Sequence, residues 1–290
     1  MAARALGVVV TGGSRGVGRA LARRFLREED GVVICARGED ALLETVAKLR
    51  EERPSARVFG CVADVSKHED VRRLCEFASV KLGSVDAFIC NAGTVGGRSS
   101  VVNAPAALLE SVVTTNLLGS VYCAKEAIRL GEQQQKPMHV FLVDGSGTMG
   151  NATANYAAYG ATKRAVPQLV KSLNKECAQG MTRFHCLSPG MVLTELLLAG
   201  NGEGRFRKIF NFLAEEAETV ADELVPRLRS VVVDDERNAY IRFLTVAKAM
   251  YRLVTGFVFG FRSNHFFDQV SGKRVDQDSG KYSDSGVRIE

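Results

Sequence analysis

The run LGVVVTGGSRGVGRALARRF, residues 6–25, decides the fold. Leu6 to Val10 form a short β-branched run that reads as a strand. A glycine-rich turn follows, and then Val17, Ala20, Leu21 and Phe25 fall on one helical side with Arg19, Arg23 and Arg24 on the other. Strand, glycine turn and helix start come in the order that phosphate binding requires. Gly12 and Gly16 permit tight turning and close backbone approach to a pyrophosphate, Gly18 permits close helix packing, and the helix start offers oriented N–H groups. The expected contact set in this turn is Gly12, Ser14, Arg15, Gly16, Val17 and Gly18. A bare Gly-x-x-x-Gly-x-Gly is weak evidence, but between a strand and a helix it points to a dinucleotide.

Outward from this unit the pattern repeats. Further strand-like runs lie near 32–36, 57–63, 86–90, 139–143 and 183–187, separated by helical segments. The alternation predicts an α/β fold, a doubly wound parallel sheet of Rossmann type with helices on both faces. No repeat or linker interrupts it, so residues 1–265 are expected to be one domain. Residues 266–290, polar and rich in Gly, Ser and Asp from Asp268 onward, are expected to be a mobile tail.

Composition sets limits on function. A chain of 290 residues, 46% hydrophobic and 24% charged, suits a soluble globular protein with a sizeable core. Its seven cysteines are scattered singly without a Cys-x-x-Cys pair, and read as reduced, buried thiols of an intracellular compartment. His68, His139, His185 and His265 lie far apart, so no metal site is expected. A formal charge of +5 suits an anionic cofactor or an anionic membrane surface, but no basic stripe interleaved with aromatics argues for nucleic acid. Nothing at the N-terminus resembles a signal or transit peptide.

Cofactor choice is read where the second strand ends, in VVICARGED at 32–40. An acidic residue there would bind the ribose hydroxyls of NAD. Instead Arg37 follows Ala36, and with Arg15 in the glycine turn it can pair with a 2′-phosphate. Either arginine alone is an ordinary surface residue; the two together favour NADP(H) over NAD(H).

AAYGATKRA, residues 157–165, places Tyr159 four residues before Lys163 in an Ala-rich, helix-favouring stretch. On a helix the two share a face, where the ammonium can favour the ionised phenol. A lone Tyr-x-x-x-Lys is also a common accident of spacing, so the rest of the chain has to give it meaning.

With Thr11-Gly12-x-x-x-Gly16-x-Gly18, Asp64-Val65 after the third strand, Asn91-Ala92-Gly93 after the fourth, and Tyr159-x-x-x-Lys163, the chain resembles the short-chain dehydrogenase/reductase family from about residue 5 to 225. Cys90 stands where a second Asn is common in that family. The resemblance implies further site residues. Ser146, thirteen residues before Tyr159, matches the family serine, Asn116 in VVTTNLLGS matches its helix asparagine, and Pro189, Gly190, Val192 and Thr194 match the loop that holds the nicotinamide. It also implies roles. Tyr159 hands a proton to a carbonyl oxygen as hydride arrives, Ser146 hydrogen-bonds that oxygen, Lys163 holds the nicotinamide ribose, and Asn116 anchors a water in a proton relay. Thr148 is a second hydroxyl that can share the role of Ser146. Because an unperturbed tyrosine has a pKa near ~10, work near neutrality asks for roughly three units of help from Lys163 and the nicotinamide charge. Homo-oligomers through the helices carrying Asn116 and Tyr159 are implied as well.

Substrate choice is expected from residues 195–225 and the loop TVGGRSSVVNAP at 94–105. Leu196, Leu197, Leu198, Phe206, Ile209, Phe210 and Leu213 make an apolar lid that suits a large hydrophobic substrate, or else simply covers the core. Beyond residue 226 the chain leaves the common family pattern, which closes with a seventh strand. In its place a helix at about 245–262 carries Val246, Met250, Leu253, Val254, Phe257, Val258 and Phe261 as a stripe flanked by Lys248, Arg252 and Arg262. Such a helix rests on a membrane surface, or packs on its own domain or in a subunit interface.

YGATKRAVPQLVKSLNKE (159–176), LSPGMVLTELLLAG (187–200), FLAEEAETVADELVPRLRS (212–230) and YIRFLTVAKA (240–249) narrow the resemblance to the chlorophyll(ide) b reductases of plants and green algae. That likeness implies NADPH-dependent reduction of a tetrapyrrole formyl group to hydroxymethyl at the stromal face of chloroplast thylakoids, with peripheral membrane association. The alternatives are a family member acting on another bulky aldehyde or ketone of retinoid or steroid type, and a non-catalytic cofactor-binding scaffold at a membrane.

Overall fold

The computed structural model describes residues 4–198, 205–263, 265–267 and 275, without the side chains of 205–208. Strand β1, Gly7–Thr11, is buried along its whole length, with Val8, Val9 and Val10 closed to solvent. An unbroken apolar run of this kind belongs to a parallel sheet covered on both faces. Five more strands fall at or within two residues of their expected positions: β2 (Gly31–Ala36), β3 (Val58–Val62), β4 (Ala87–Cys90), β5 (Met138–Val143) and β6 (Thr182–Ser188). All pair in parallel in the order β3-β2-β1-β4-β5-β6.

The intervening chain supplies helices α1 (Gly16–Arg27), α2 (Glu39–Glu52), α3 (His68–Leu82), α4 (Ala106–Val113), α5 (Gly119–Gln134) and α6 (Ala157–Glu176). After β6 come the short strand β7 (Met191–Val192), α7 (Glu195–Leu198), α8 (Arg205–Leu213), the short strand β8 (Ala214–Glu215) and α9 (Ala217–Val233). One face of the sheet is covered by α1, α2 and α9 through Leu21, Phe25, Leu42, Leu224 and Leu228. The other is covered by α3, α5 and α6 through Leu74, Ala127, Val166 and Val170. All seven cysteines are free thiols, five of them buried.

Two expectations about the C-terminal part need correction. The family's seventh strand is present: β9, Tyr240–Arg242, pairs in parallel with β6 at the sheet edge. It spans three residues, too short for an alternating pattern to show. Residues 266 and 267, assigned to the tail, are part of the packed chain. Phe266 and Phe267 are buried against Phe210 and Ala214, and both donate backbone N–H groups to Asn211 Oδ1, at 2.9 and 2.8 Å. Asn211 is itself buried, and its Nδ2 donates to the carbonyls of Ser263 and Phe267, both at 2.6 Å. The remainder of the expected tail, apart from Val275, lies outside the described residues.

The expected C-terminal helix forms as α10, Val246–Phe259, with the Thr245 hydroxyl accepting the Lys248 N–H at its start and Gly260 in the left-handed conformation at its end. The placement of its cations differs from expectation. Val246, Met250, Val254, Phe257, Val258 and, just beyond it, Phe261 face outward and are exposed. The cations turn inward: Lys248 Nζ meets Glu223 at 2.5 Å, and Arg252 and Arg262 converge on Glu215 at 2.8 and 3.3 Å. Burial makes an unpaired carboxylate costly, so the cations follow Glu215 and the apolar stripe is left at the surface.

A buried pair at the opposite end of the sheet sets an acid limit on stability. His139 on β5 and His185 on β6 are closed to solvent, with His139 Nδ1 at 3.0 Å from His185 Nε2. His185 Nδ1 accepts the Ala239 N–H, so its Nε2 carries the proton given to His139. Asp235 and Arg183 face His139 from outside. Burial pushes His139 down to about 4 and His185 down to about 3. Both folded values lie below the unfolded one, so stability is complete above pH ~6.5 and falls as the pH drops below it, by roughly 1.4 kcal/mol per histidine per unit. Thermal melts between about pH 4 and 8 should show this loss. The double variant His139→Gln/His185→Gln should flatten it, and an equally steep variant curve would refute the assignment.

Candidate active site

The expected site residues lie at the carboxyl ends of the parallel strands, where the crevice of an open α/β sheet opens. At the β1–α1 turn, Gly12 and Gly16 take φ of +64° and +54°. A Cβ on Gly18 would collide with the Gly12 carbonyl and lie 2.6 Å from Asn91 Nδ2. Only glycine lets α1 start this close to the sheet. Asn91, in the expected Asn91-Ala92-Gly93 turn after β4, braces the loop by donating to the carbonyls of Thr11 and Gly12 at 2.9 and 3.2 Å, while the Ala92 N–H donates to the Thr11 hydroxyl. Ser14 and Val17 are half-buried in the same turn. Across the crevice Thr194 lies over Gly16, 3.1 Å from where a Cβ would sit. Pro189 and Val192 are buried beside it, and Gly190 turns with φ +76° against Leu244.

Asp64 sits just past β3, its Oδ1 accepting the Ser66 N–H and hydroxyl, with Val65 buried under Gly119. Arg37 is exposed just past β2. Arg15 is ion-paired with Glu195 on α7, so the glycine turn and the lid are joined across the crevice mouth. A separation of 180 residues hides that partnership from the sequence.

Tyr159 and Lys163 occupy the first two turns of α6, both buried. Lys163 Nζ donates to the Val143 carbonyl at 2.9 Å and lies 5.8 Å from the Tyr159 ring centre. The phenol oxygen presses on the loop after β5 so closely that a Cβ on Gly145 would overlap it; Ser146, the next residue, is exposed. Asn116 arrives from a π-helical turn, Thr114–Leu118, between α4 and α5. Its amide is fully engaged: Oδ1 accepts from Thr94 N at 2.8 Å, and Nδ2 donates to Thr94 O at 2.8 Å and Thr162 Oγ1 at 3.2 Å. That side chain braces the loop after β4, and Ser120 donates to its carbonyl at 2.7 Å.

Two details depart from the sequence reading. Thr148 cannot share the role of Ser146, because its hydroxyl is buried, accepting from Gly145 N and donating to Lys163 O, both at 3.1 Å. Lys163 alone also does not bias the phenol toward ionisation. Burial, and then the charge of Asp144, push Tyr159 above its ordinary 10, while burial pushes Lys163 down to about 8 against the pull of Asp144. Removal from water outweighs the ammonium at this distance.

The lid residues divide. Phe210 is buried, Leu197 and Leu198 pack beside it, and Leu213 is half-buried, whereas Leu196 and Ile209 are exposed; the side chain of Phe206 lies outside the described residues. Covering the core accounts for the first group only.

Residues 7–201 match the family described as short chain dehydrogenase. The chain belongs to that family. Among curated members, chlorophyll(ide) b reductase NOL of Oryza sativa subsp. japonica, labelled chloroplastic, is 40% identical over 265 residues, covering 89% of this chain and 77% of the relative. The probable chlorophyll(ide) b reductase NYC1 of the same plant is 41% identical over 277 residues, 90% of this chain, and this chain spans about half of it, 54%. A solved short-chain fold, levodione reductase, superposes with a TM-score of 0.74 at 23% identity, covering 86% of this chain and all of that one.

Sequence reasoning missed Asp144, Tyr240, Arg242, Asn211 and Glu215. Asp144 carried a signal, a charge at a buried strand end two residues before Ser146. Tyr240 and Arg242 gave none once the seventh strand was overlooked.

Proposed function

We propose that this chain reduces the ring formyl group of chlorophyll b or chlorophyllide b to hydroxymethyl with NADPH. The observation that carries the reading is the 40% identity to the rice reductase across 89% of the chain, a span that reaches well past the part shared with ordinary family members. A nicotinamide dinucleotide fits this turn, since Gly12 and Gly16 take positive φ and Gly18 lets α1 start close against the sheet, where its N-terminus offers N–H groups to a pyrophosphate. Gly12, Ser14, Arg15, Gly16, Val17 and Gly18 would hold its phosphates, Asp64 and Val65 its adenine, Asn91, Ala92 and Gly93 its ribose side, and Pro189, Gly190, Val192 and Thr194 its nicotinamide. When bound in reduced form it supplies hydride to the formyl carbon. Tyr159 gives its phenolic proton to the oxygen, Ser146 hydrogen-bonds that oxygen, and Lys163 restores the proton from solvent through a water anchored at Asn116. One hydride and one proton convert the aldehyde to a primary alcohol. Offering chlorophyll b, chlorophyllide b and a retinal to the purified protein with NADPH, with products identified by chromatography, tests the reading. Turnover of the retinal alone would favour the bulky-aldehyde alternative, and no turnover of any would favour the scaffold.

Preference for NADPH rests on Arg37 and Arg15. Arg37→Asp should weaken NADPH about 10- to 100-fold and reverse the preference. Because Glu195 holds Arg15, Glu195→Gln should tighten NADPH by about two- to fivefold. Fluorescence titration reads both, and equal affinity for NADPH and NADH in the parent chain would remove Arg15 and Arg37 from the 2′-phosphate.

The outward face of α10 is proposed to rest on the lipid surface that holds the substrate, at the stromal side of thylakoids. With Lys248, Arg252 and Arg262 engaged by carboxylates, the contact is apolar. Liposome flotation should therefore persist at about 0.5 M salt and on zwitterionic lipid, whereas an electrostatic contact would be screened. Phe257→Asp/Val258→Asp should abolish it. If the parent never floats and the variant instead dissociates a homo-oligomer in light scattering, the face belongs to a subunit interface. A homo-oligomer through α4, α5 and α6, where Val113 and Val121 are exposed, is part of the same proposal.

A further inference from the structure

Asp144 closes β5 and lies two residues before Ser146, yet its side chain is buried. Three strand ends converge on it. Its N–H donates to Leu187 O on β6 at 2.9 Å, Tyr240 of β9 donates its hydroxyl to Oδ2 at 2.5 Å, and the hydroxyl of Ser188, at the head of the nicotinamide-side loop, bonds the carboxylate as well. The preceding residue, Val143, supplies the carbonyl that holds Lys163 Nζ. Facing groups are Tyr159 and Lys163 from α6, Cys186 and Ser188 from β6, and Tyr240 and Arg242 from β9, with Arg242 stacked 3.8 Å from the Tyr240 ring centre. A carboxylate that only closed a strand end would be placed in water. This one is held inside the protein, where burial raises it and two hydroxyls and two cations oppose that rise.

Resting on the assignment of Tyr159 as proton donor, we propose that Asp144 is a positioning residue that holds the Tyr159–Lys163 pair in its proton-bearing form and so biases the site toward carbonyl reduction. A negative charge beside a phenol and an ammonium opposes proton loss from both. Reduction needs the phenol O–H present as hydride arrives, and oxidation of an alcohol needs the phenolate. Asp144 leaves the equilibrium of the reaction untouched and sets the fraction of enzyme ready to reduce. Burial raises the carboxyl of Asp144, while the Tyr240 and Ser188 hydroxyls, Lys163 and Arg242 lower it, and its charge falls on both Tyr159 and Lys163. The seventh strand thereby reaches the site through Tyr240.

The test uses opposite charge changes in the full chain, Asp144→Asn and Arg242→Gln. Two quantities are followed from about pH 6 to 11: kcat for NADPH-driven reduction, and ionisation of the Tyr159 phenol by ultraviolet difference absorbance against Tyr159→Phe in the protein alone. Asp144→Asn should move both the alkaline limb and the phenol titration to lower pH by about one unit. Arg242→Gln should move them upward, which keeps the test decisive if the Asn variant fails to fold. A uniform fall in kcat with neither quantity displaced, or displacement in the same direction by both variants, overturns the role. If Tyr159→Phe itself turns over, the underlying assignment fails. If it is inactive while the limbs stay fixed, only the role of Asp144 fails.

Discussion

Tyr159→Phe is expected to lose at least about a thousandfold in turnover while binding NADPH nearly as tightly as the parent chain. The phenol acts where the proton moves, and its ring, buried and edge-on to Tyr156 at 5.7 Å, stays in place when the oxygen is removed. The neighbouring loop keeps its geometry too, since Gly145 already makes room for a larger group. Lys163→Ala should damage both quantities, because Lys163 also ties α6 to the Val143 carbonyl. Measuring NADPH affinity by fluorescence and turnover with the preferred aldehyde separates the two variants. Substantial turnover in the Phe variant would remove Tyr159 from the chemistry.

Glu215→Ala is expected to cost about 3–5 kcal/mol of stability, a fall of roughly 10 °C in melting temperature. Burial pushes the Glu215 carboxyl up, but hydrogen bonding from His265 and the charges of Arg262 and Arg252 outweigh it and hold it at about 2. Its contribution is complete above about pH 4.5 and is lost as the pH falls toward 2. Removal leaves two guanidinium groups, mostly buried, without their carboxylate. Because Glu215 pairs with Val192 in the β7–β8 ladder, NADPH affinity should fall along with stability. Glu215→Gln, which keeps the shape and loses the charge, should fall between parent and Ala. A melting temperature unchanged in the Ala variant would show that the ion cluster is only apposed.

Most of the fold could be read from the chain because its parallel strands, buried on both faces, leave unbroken apolar runs such as Val8 to Val10. The candidate site residues came partly from the pattern of the glycine turn itself and partly from the resemblance to short-chain dehydrogenases. What escaped the sequence depends on partners far along the chain. Amphipathic periodicity showed that α10 has two unlike faces, but which one turns inward was settled by Glu215, 37 residues from Arg252. Lys163 suggested an ionised phenol, yet the balance was set by burial and by Asp144, neither visible in a four-residue spacing. β9 was hidden because three residues are too few to show a period.

The match to the family model ends at residue 201, but the sheet does not. A chain cut there would lose β9, leaving the β6 edge bare, and α9, which covers Leu21 and Phe25. It would also strip β8 from β7. An unpaired apolar edge beside an uncovered face is a template for aggregation. The span that the family model matches is therefore shorter than the unit that folds, and a fragment meant to fold has to run at least through Phe267.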